Sequence, residues 1–444
     1  MSFSSGTYSL PGPALNTGDT VSATENNTFR NDVATAFNLT MLRNGTSTAT
    51  ANLPMGGFKL TGLGVATASG DALSYGQAAT VSDLTVTNSA NLPNTFGFKN
   101  RIINGGMVID QRNAGASVTP TNGQYCLDRF SCALTQASKF SVQQNAGSVA
   151  LPAGFSKYLG ITSLSAYSVA AGDLFSVIQY VEGSNVADLS WGTASASTVT
   201  ISFWVRSSIT GTFGGSVSNS AANRCYVFSY TINSANTWEY KTIAIPGDQS
   251  GTWLTDTGIG IRVGFSLGAG STYTGAAGAW GSTYYTNPTG GQSVVGTNAA
   301  TFYITGVQLE KGSTATSFDF RSIGTELALC QRYYWQSTKG ANNPSIANGT
   351  LWTTTASYNT IQFPVQMRAV PSLVYSNVSD FVVYSSGSTH IIGAFSVSGG
   401  MNQTSAELQE TWADAIGAVG AGCWTRINGG ITGNNAYLGF SAEL

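Results

Sequence analysis

The sequence predicts a mainly β protein, and three observations point that way. Charged residues make up only 9% of the 444 residues, while glycine contributes 53 and Ser, Thr and Asn fill much of the remainder. An ordinary soluble domain is roughly 25% charged, and a long-helix or coiled-coil build needs Glu, Lys, Arg, Ala and Leu. Between residues 100 and 320, strand-length runs recur with Gly, Asn and Ser between them. The length leaves room for about two to four domains, each with a substantial core.

The runs justify the elements one by one. Phe140-Ser141-Val142, Lys157-Tyr158-Leu159, the stretch 175–181, Val199-Thr200-Ile201-Ser202-Phe203-Trp204-Val205, Tyr226-Val227-Phe228-Ser229-Tyr230, the stretch 239–245 and Ile261-Arg262-Val263-Gly264-Phe265 alternate or are rich in β-branched and aromatic residues. With Phe302, Ile304, Val307 and Leu309 they predict a two-sheet sandwich over 99–335. Lys311-Gly312-Ser313 signals a turn, and 325–330 reads as a short helix with Leu327 and Cys330 on one side. From 336 to 444, Thr360-Ile361-Gln362-Phe363, Leu373-Val374-Tyr375, Phe381-Val382-Val383-Tyr384 and Ala436-Tyr437-Leu438-Gly439-Phe440 predict a second, smaller sandwich.

Residues 1–98 have a different character. The first twenty are rich in Ser, Gly, Pro and Thr and read as an extended arm. Ser22 and Glu25 have the spacing of a capping box. Phe29, Val33, Phe37 and Met41 then lay a narrow apolar stripe on one helix over about 23–43, with nothing nearby to bury it. Copies of the same helix in sister chains are the expected cover. In Leu53-Pro54-Met55-Gly56-Gly57-Phe58-Lys59-Leu60, the glycines permit close backbone approach, and the alternation makes a strand, with Phe58 and Leu60 on one face, whose partner another chain best supplies. Residues 78–98 read as a linker with a short strand near Leu84-Thr85-Val86.

These stretches carry a family resemblance. Residues 301–335 resemble the end of the jelly-roll module of bacteriophage tail fibres and related tail proteins. Residues 104–112 are similar to that family's opening strand, and Leu127-Asp128-Arg129-Phe130 to its Asp-Arg-aromatic element. Gln179-Tyr180-Val181-Glu182-Gly183, the stretch 202–207, Asn236-Thr237-Trp238-Glu239-Tyr240 and Pro246-Gly247-Asp248 follow in the family's order. Residues 53–63 with 71–77 resemble the short repeat of tail-fibre stalks, and 363–371 resembles a recurrent tail sequence that crosses between strands. The resemblance implies a trimeric stalk with a short helix, a jelly-roll β-sandwich and a distal β-sandwich. Its implied partners are a homotrimer, other tail proteins at the N-terminal region and a host-surface glycan or protein.

The charge balance narrows the function classes. A net charge of −2 from 19 basic and 21 acidic residues provides no footprint for nucleic acid or an anionic membrane. The opening MSFSSGTYSLPG has neither a basic n-region nor an apolar h-region, so a signal peptide is not expected, and no window reaches 18 apolar residues. Assembly in a host cytoplasm and release by lysis as part of a virion would account for an extracellular role. Five scattered cysteines without a CxxC pair read as free, mostly buried thiols.

Catalytic chemistry is sparse. The single histidine, His390, has no GxSxG elbow to serve. Glu407, Glu410 and Asp414 have helical spacing around Trp412 and read as a solvated face rather than a glycosidase pair. No cofactor is expected and no metal cluster is visible; the jelly-roll resemblance alone raises a structural calcium at Asp128 and Asp319. Aromatics carry the most weight, because sugar rings stack on Trp and Tyr while their hydroxyls need amide and hydroxyl partners. Phe203, Trp204, Phe228 and Phe302 read as core. Tyr273, Trp280, Tyr284 and Tyr285 in the 267–300 loop, with Trp352, Tyr358 and Trp424 in the distal domain, are the candidate glycan contacts. Oligomerisation falls to Phe29, Val33, Phe37, Met41, Phe58 and Leu60. The expected function is a homotrimeric tail fibre that binds a host receptor without cleaving it; the alternatives are a structural fibre or adaptor, and a polysaccharide-degrading tail spike.

Overall fold

The computed structural model describes residues 2–4, 7–9, 17–18, 20, 22–38, 99–337, 345–397, 399–428 and 436–444. The chain divides into two compact units, Met1–Ala90 and Asn91–Leu444. In the first, Ser2–Ser4 pairs antiparallel with Thr7–Ser9, so the expected extended arm begins as a hairpin. The helix spans Ala23–Asn38. Its start is the expected capping box: the Glu25 amide donates to Ser22 Oγ at 3.2 Å and the Ser22 amide donates back to the Glu25 carboxylate at 3.0 Å. These bonds hold the Glu25 carboxyl below its ordinary range. Phe29 is 42% exposed. The side chain of Phe37, together with Met41, Phe58, Leu60, the 53–77 repeat and the 78–98 linker, lies outside the described residues.

The second unit holds two cores. Around the first, an antiparallel seven-stranded sheet runs in the order Trp280–Gly281, Cys225–Ile232, Gly211–Ser218, Ile259–Ala269, Leu174–Glu182, Phe130–Leu134, Tyr125–Leu127. It faces a five-stranded sheet in the order Glu239–Ile245, Val199–Ser207, Thr301–Lys311, Leu159–Ser163, Phe140–Gln144. Period-two alternation buries Ile201, Phe203 and Val205 from one strand and Phe302, Ile304, Val307 and Leu309 from its neighbour in one cluster between the sheets.

The distal core lies under a seven-stranded sheet in the order Ser388–Ile391, Phe381–Ser385, Gly422–Ile427, Ser345–Thr353, Ala356–Gln362, Ser405–Thr411, Ala394–Val397. Tyr334–Gln336, Leu438–Ser441 and Ser372–Tyr375 form the accompanying three-stranded sheet. Leu351, Ile361, Phe381, Val383, Leu408 and Phe440 share this second cluster.

Between the cores sits the helix Ile323–Gln331, capped by Ser322. The residues after it tie the two sandwiches together. Arg332 donates to Glu182 at 2.7 and 3.0 Å, and the Tyr333 hydroxyl donates to the same carboxylate at 2.7 Å. Arg129, fully buried, pairs with Glu443 and lies 3.5 Å from the Tyr333 ring centroid, while Arg112 reaches Glu443 at 2.7 Å. The five cysteines are free and buried; Cys126 and Cys132 lie with sulfurs 3.5 Å apart.

Candidate functional site

The strand Val199–Ser207 buries Phe203 and turns Trp204 the other way, onto the outer face of the five-stranded sheet. Trp204 therefore is not a core residue: two adjacent aromatics in a strand cannot face the same side. Tyr240 stands opposite Trp204 on the neighbouring strand, with ring centroids 5.4 Å apart, and is 44% exposed.

On the other side of Trp204, the strand Thr301–Lys311 breaks register between Thr305 and Gln308. Gly306 sits there at φ +62°, and a Cβ at that position would lie 2.6 Å from the Phe155 ring. Glycine thus permits the bulge and lets Phe155 settle onto the sheet. Phe155, Phe318 and Phe320 pack around one another at centroid distances of 4.9–5.3 Å, and Phe320 is 62% exposed.

A buried polar layer fixes the loop that carries the last two rings. Glu310, fully buried, accepts from the Thr316 amide at 2.8 Å and its hydroxyl at 2.6 Å, and Gln308 donates to Glu310 and accepts from the Asp319 amide. Lys99 donates to the Ser317 carbonyl. The result is a groove of about 380 Å³ lined by Phe155, Trp204, Tyr240, Phe318 and Phe320, with Ser202 and Thr316 as hydroxyl neighbours. A smaller cavity of about 90 Å³ adjoins it at Asp319, Arg321 and Glu326. Exposed ring faces beside hydroxyls and amides can hold the C–H faces of sugars while their hydroxyls find partners.

The candidates in the 267–300 loop are packed against their own surroundings. Trp280 joins Trp191 and Trp253 in a three-tryptophan cluster, at 5.4 and 5.5 Å, and its Nε1 donates to the Pro246 carbonyl. Tyr273 meets Tyr284 edge-on at 6.4 Å, and burial pushes the Tyr284 hydroxyl up to about 12. Tyr285 covers Gly275, where a Cβ would come within 2.3 Å of its ring. The distal candidates instead share the outer face of the seven-stranded sheet. Trp352, 66% exposed, meets Tyr358 at 5.8 Å, and Trp424 lies on Tyr384 at 4.7 Å.

The acidic cluster is not helical. Glu407 and Glu410 lie in the strand Ser405–Thr411 and face opposite sides, so they cannot share a solvated helix face. Glu410 is fully buried and accepts from Ser357 at 3.3 Å and from Thr425. Burial outweighs these bonds and pushes its carboxyl up to about 7. Trp412 is buried beside it in sequence. His390 sits on the edge strand Ser388–Ile391 opposite Val383.

Asp128 and Asp319 do not fit a calcium ion. Asp128 is filled by the Gln111 amide at 2.7 Å and its side chain at 2.6 Å, and burial pushes it up to about 6 against the pull of Arg112. Asp319 lies 3.5 Å from Arg321 and accepts weakly from the Asn100 amide. No group of three or more His, Cys, Asp or Glu that could hold a metal occurs among the described residues.

Phe155, Trp204, Tyr240, Phe318 and Phe320 escaped the sequence reading. Strict alternation would have assigned Trp204 to the face opposite Phe203. The loop rings had no local signal, because only the fold brings 155 beside 318 and 320.

No protein-family model matches the chain, and no curated protein matches it. Among solved structures, it is similar to the domain of tailspike protein 4 of bacteriophage CBA120 described as enzymatically active, with 12% identity, 48% of this chain and 21% of that one covered, and a TM-score of 0.27. The match thus spans about a fifth of the tailspike chain. A putative sugar binding protein from Bacteroides thetaiotaomicron matches with 11% identity over 48% of this chain and 100% of its own, at a TM-score of 0.27. The family 11 carbohydrate-binding module from Clostridium thermocellum matches with 13% identity over 46% and 100%, at 0.22. At these identities and scores the likenesses carry no argument about function; the β-sandwich architecture stands on the sheets themselves.

Proposed function

We propose that the protein is a bacteriophage tail fibre, a homotrimeric virion component joined to other tail proteins by its N-terminal region, that binds a host-surface glycan without cleaving it. The observation that carries the reading is the aromatic groove of Trp204, Tyr240, Phe155, Phe318 and Phe320, whose rings stand open on a sheet face rather than in a core. The carboxylates beside it are engaged: Glu310 by Gln308 and Thr316, and both Asp319 and Glu326 by Arg321. Binding without hydrolysis is the chemistry such a surface supports, since cleavage needs two carboxyls poised across a glycosidic bond. The exposed Phe29 on the N-terminal helix, and the stalk-like repeat after it, support assembly of three chains.

The test is a glycan array probed with the full chain. Neutral surface glycans should be retained, and Trp204→Ala with Tyr240→Ala should weaken binding about thirtyfold, as expected from losing two ring contacts of about 1 kcal/mol each. Binding unchanged in the double variant would sink the groove as the site. Release of reducing ends from a bound polysaccharide would replace binding by catalysis.

A further inference from the structure

The seven-stranded distal sheet has one face on its core and one face open. Ala347, Leu351, Ser357, Ile361, Leu408 and Thr425 point inward. Their strand neighbours Asn348, Thr350, Tyr358, Thr360, Gln409, Trp424 and Arg426 point out, each exposed or half-buried. Two aromatic platforms stand on this face, Trp424 with Tyr384 and Tyr358 with Trp352. Trp424 is registered against Asn348, and Tyr358 against Thr350, both on the strand Ser345–Thr353 that runs between them. Strand spacing therefore sets the Trp424 and Tyr358 positions about 10 Å apart across the sheet, offset by two residues along it, with the exposed Asn348 amide and Thr350 hydroxyl on the strand between.

Arg426 marks what such a face would hold. Its guanidinium lies 4.9 Å from the Tyr384 ring centroid and 5.0 Å from that of Trp424. Among the described residues it makes no hydrogen bond or ion pair, and only its Nε is shut off from solvent, so the terminal nitrogens remain open. The other half-buried arginines have partners: Arg224 pairs with Asp248 and Arg332 with Glu182, while Arg206, Arg262 and Arg368, also without an ion pair among the described residues, donate to backbone carbonyls. Glu407, on the same outer face, lies three strands away across the sheet from Trp424 and has an interaction of its own. An arginine braced on two rings and lacking a counter-ion is complementary to a planar anion, which it can grip with two parallel N–H bonds.

We infer that the open face of the distal sheet is a second carbohydrate site, separate from the groove, and that it takes a glycan bearing a carboxylate, with Arg426 on the acid group and the Trp424/Tyr384 and Tyr358/Trp352 platforms under the rings. The inference rests on the reading of the chain as glycan-binding and adds a site and a sugar class. The experiment probes the full chain on an array of galacturonate, glucuronate and sialic acid oligosaccharides beside the same compounds with their carboxyls methyl-esterified. The wild type binds at least one acid form about tenfold tighter than its ester, as a charge-assisted pair implies; Arg426→Gln removes that preference and Trp204→Ala leaves it intact. The inference is overturned if the wild type shows no preference for any acid form, or if the preference survives in Arg426→Gln. Should that variant not fold, the acid-to-ester comparison in the wild type decides alone. Failure of the groove reading shows elsewhere, as neutral-glycan binding unaffected by Trp204→Ala and Tyr240→Ala.

Discussion

Glu182 and Glu410, one in each sandwich, are buried carboxylates held in opposite ways. In and around the jelly-roll sandwich, three carboxylates are matched to guanidinium groups, Glu182 to Arg332, Asp248 to Arg224, and Glu443 to Arg129 and Arg112, while Glu310 and Asp173 are held by hydroxyl and amide donors. Burial works to raise Glu182, but Arg332, Tyr333 and Ser184 overcome it and hold the carboxyl below its ordinary range. In the distal sandwich, Glu410 is equally buried but faces the hydroxyls of Ser357 and Thr425, with Asn359 and Cys423 nearby in the same layer and, among the described residues, no cation paired with it. Its carboxyl rises to about 7. Desolvation is the same force in both places; its outcome depends on whether the groups facing the carboxylate outweigh it, and at Glu182 a guanidinium is among them.

Removing a partner should have the largest effect. Arg129→Met leaves Glu443 with Arg112 alone at the junction and frees the Tyr180 carbonyl and Tyr333 ring that Arg129 also serves. A loss of about 3–5 kcal/mol is expected on urea unfolding, and adding Glu443→Gln should recover part of it. A loss under 1 kcal/mol would mean that the junction pair behaves as a surface pair.

Glu410→Gln should do the reverse. A carboxyl whose folded value lies above its unfolded one is favoured in the native state only while protonated. The unfolded chain releases its proton first, so stability falls as pH rises from about 4.5 to about 7, and the penalty is complete above that. The glutamine variant should gain on the order of 3 kcal/mol at pH 8 and little at pH 4, read from distal-domain unfolding across that range. A flat difference between variant and wild type would show that the hydroxyls, not protonation, satisfy Glu410.

Arg332→Gln probes the opposite sign. Because Glu182 is held low, its stabilisation is present above about pH 4.5 and disappears as pH falls through the folded value. The variant should cost about 1–2 kcal/mol at neutral pH and nothing once Glu182 is protonated. Hydrogen exchange in the strand Leu174–Glu182 measures it, and a cost independent of pH would break the comparison. The smallest effect lies outside both sandwiches. Ser22→Ala should remove about 1 kcal/mol from the N-terminal helix, seen as severalfold faster exchange of the Glu25 and Asn26 amides.

How much was legible depended on how local the signal was. Residues 301–335 read correctly as strand, turn and helix, observed as Thr301–Lys311 and Ile323–Gln331, because alternation and turn chemistry act within a few residues. The Ser22–Glu25 box was legible for the same reason. Glu407, Glu410 and Asp414 misled because positions three and seven apart satisfy a helix period by chance, whereas Ala406, Leu408 and Glu410 alternate as a strand. Trp204 misled because its neighbour Phe203 is apolar too, and composition does not say which of two adjacent rings faces in. Of the distal candidates, sequence named Trp352, Tyr358 and Trp424 but not Tyr384 or Arg426, which only the sheet register sets beside them.

The sequence by itself determined the β class, many of the strands and the first helix cap, since each follows from period, propensity and capping chemistry inside a short window. Only the tertiary structure decided which strand faces stay open and which charges meet. Arg129 finds Glu443 across 314 residues and Arg332 finds Glu182 across 150. A carboxylate's partner is a property of the packed layers, and no local pattern encodes it.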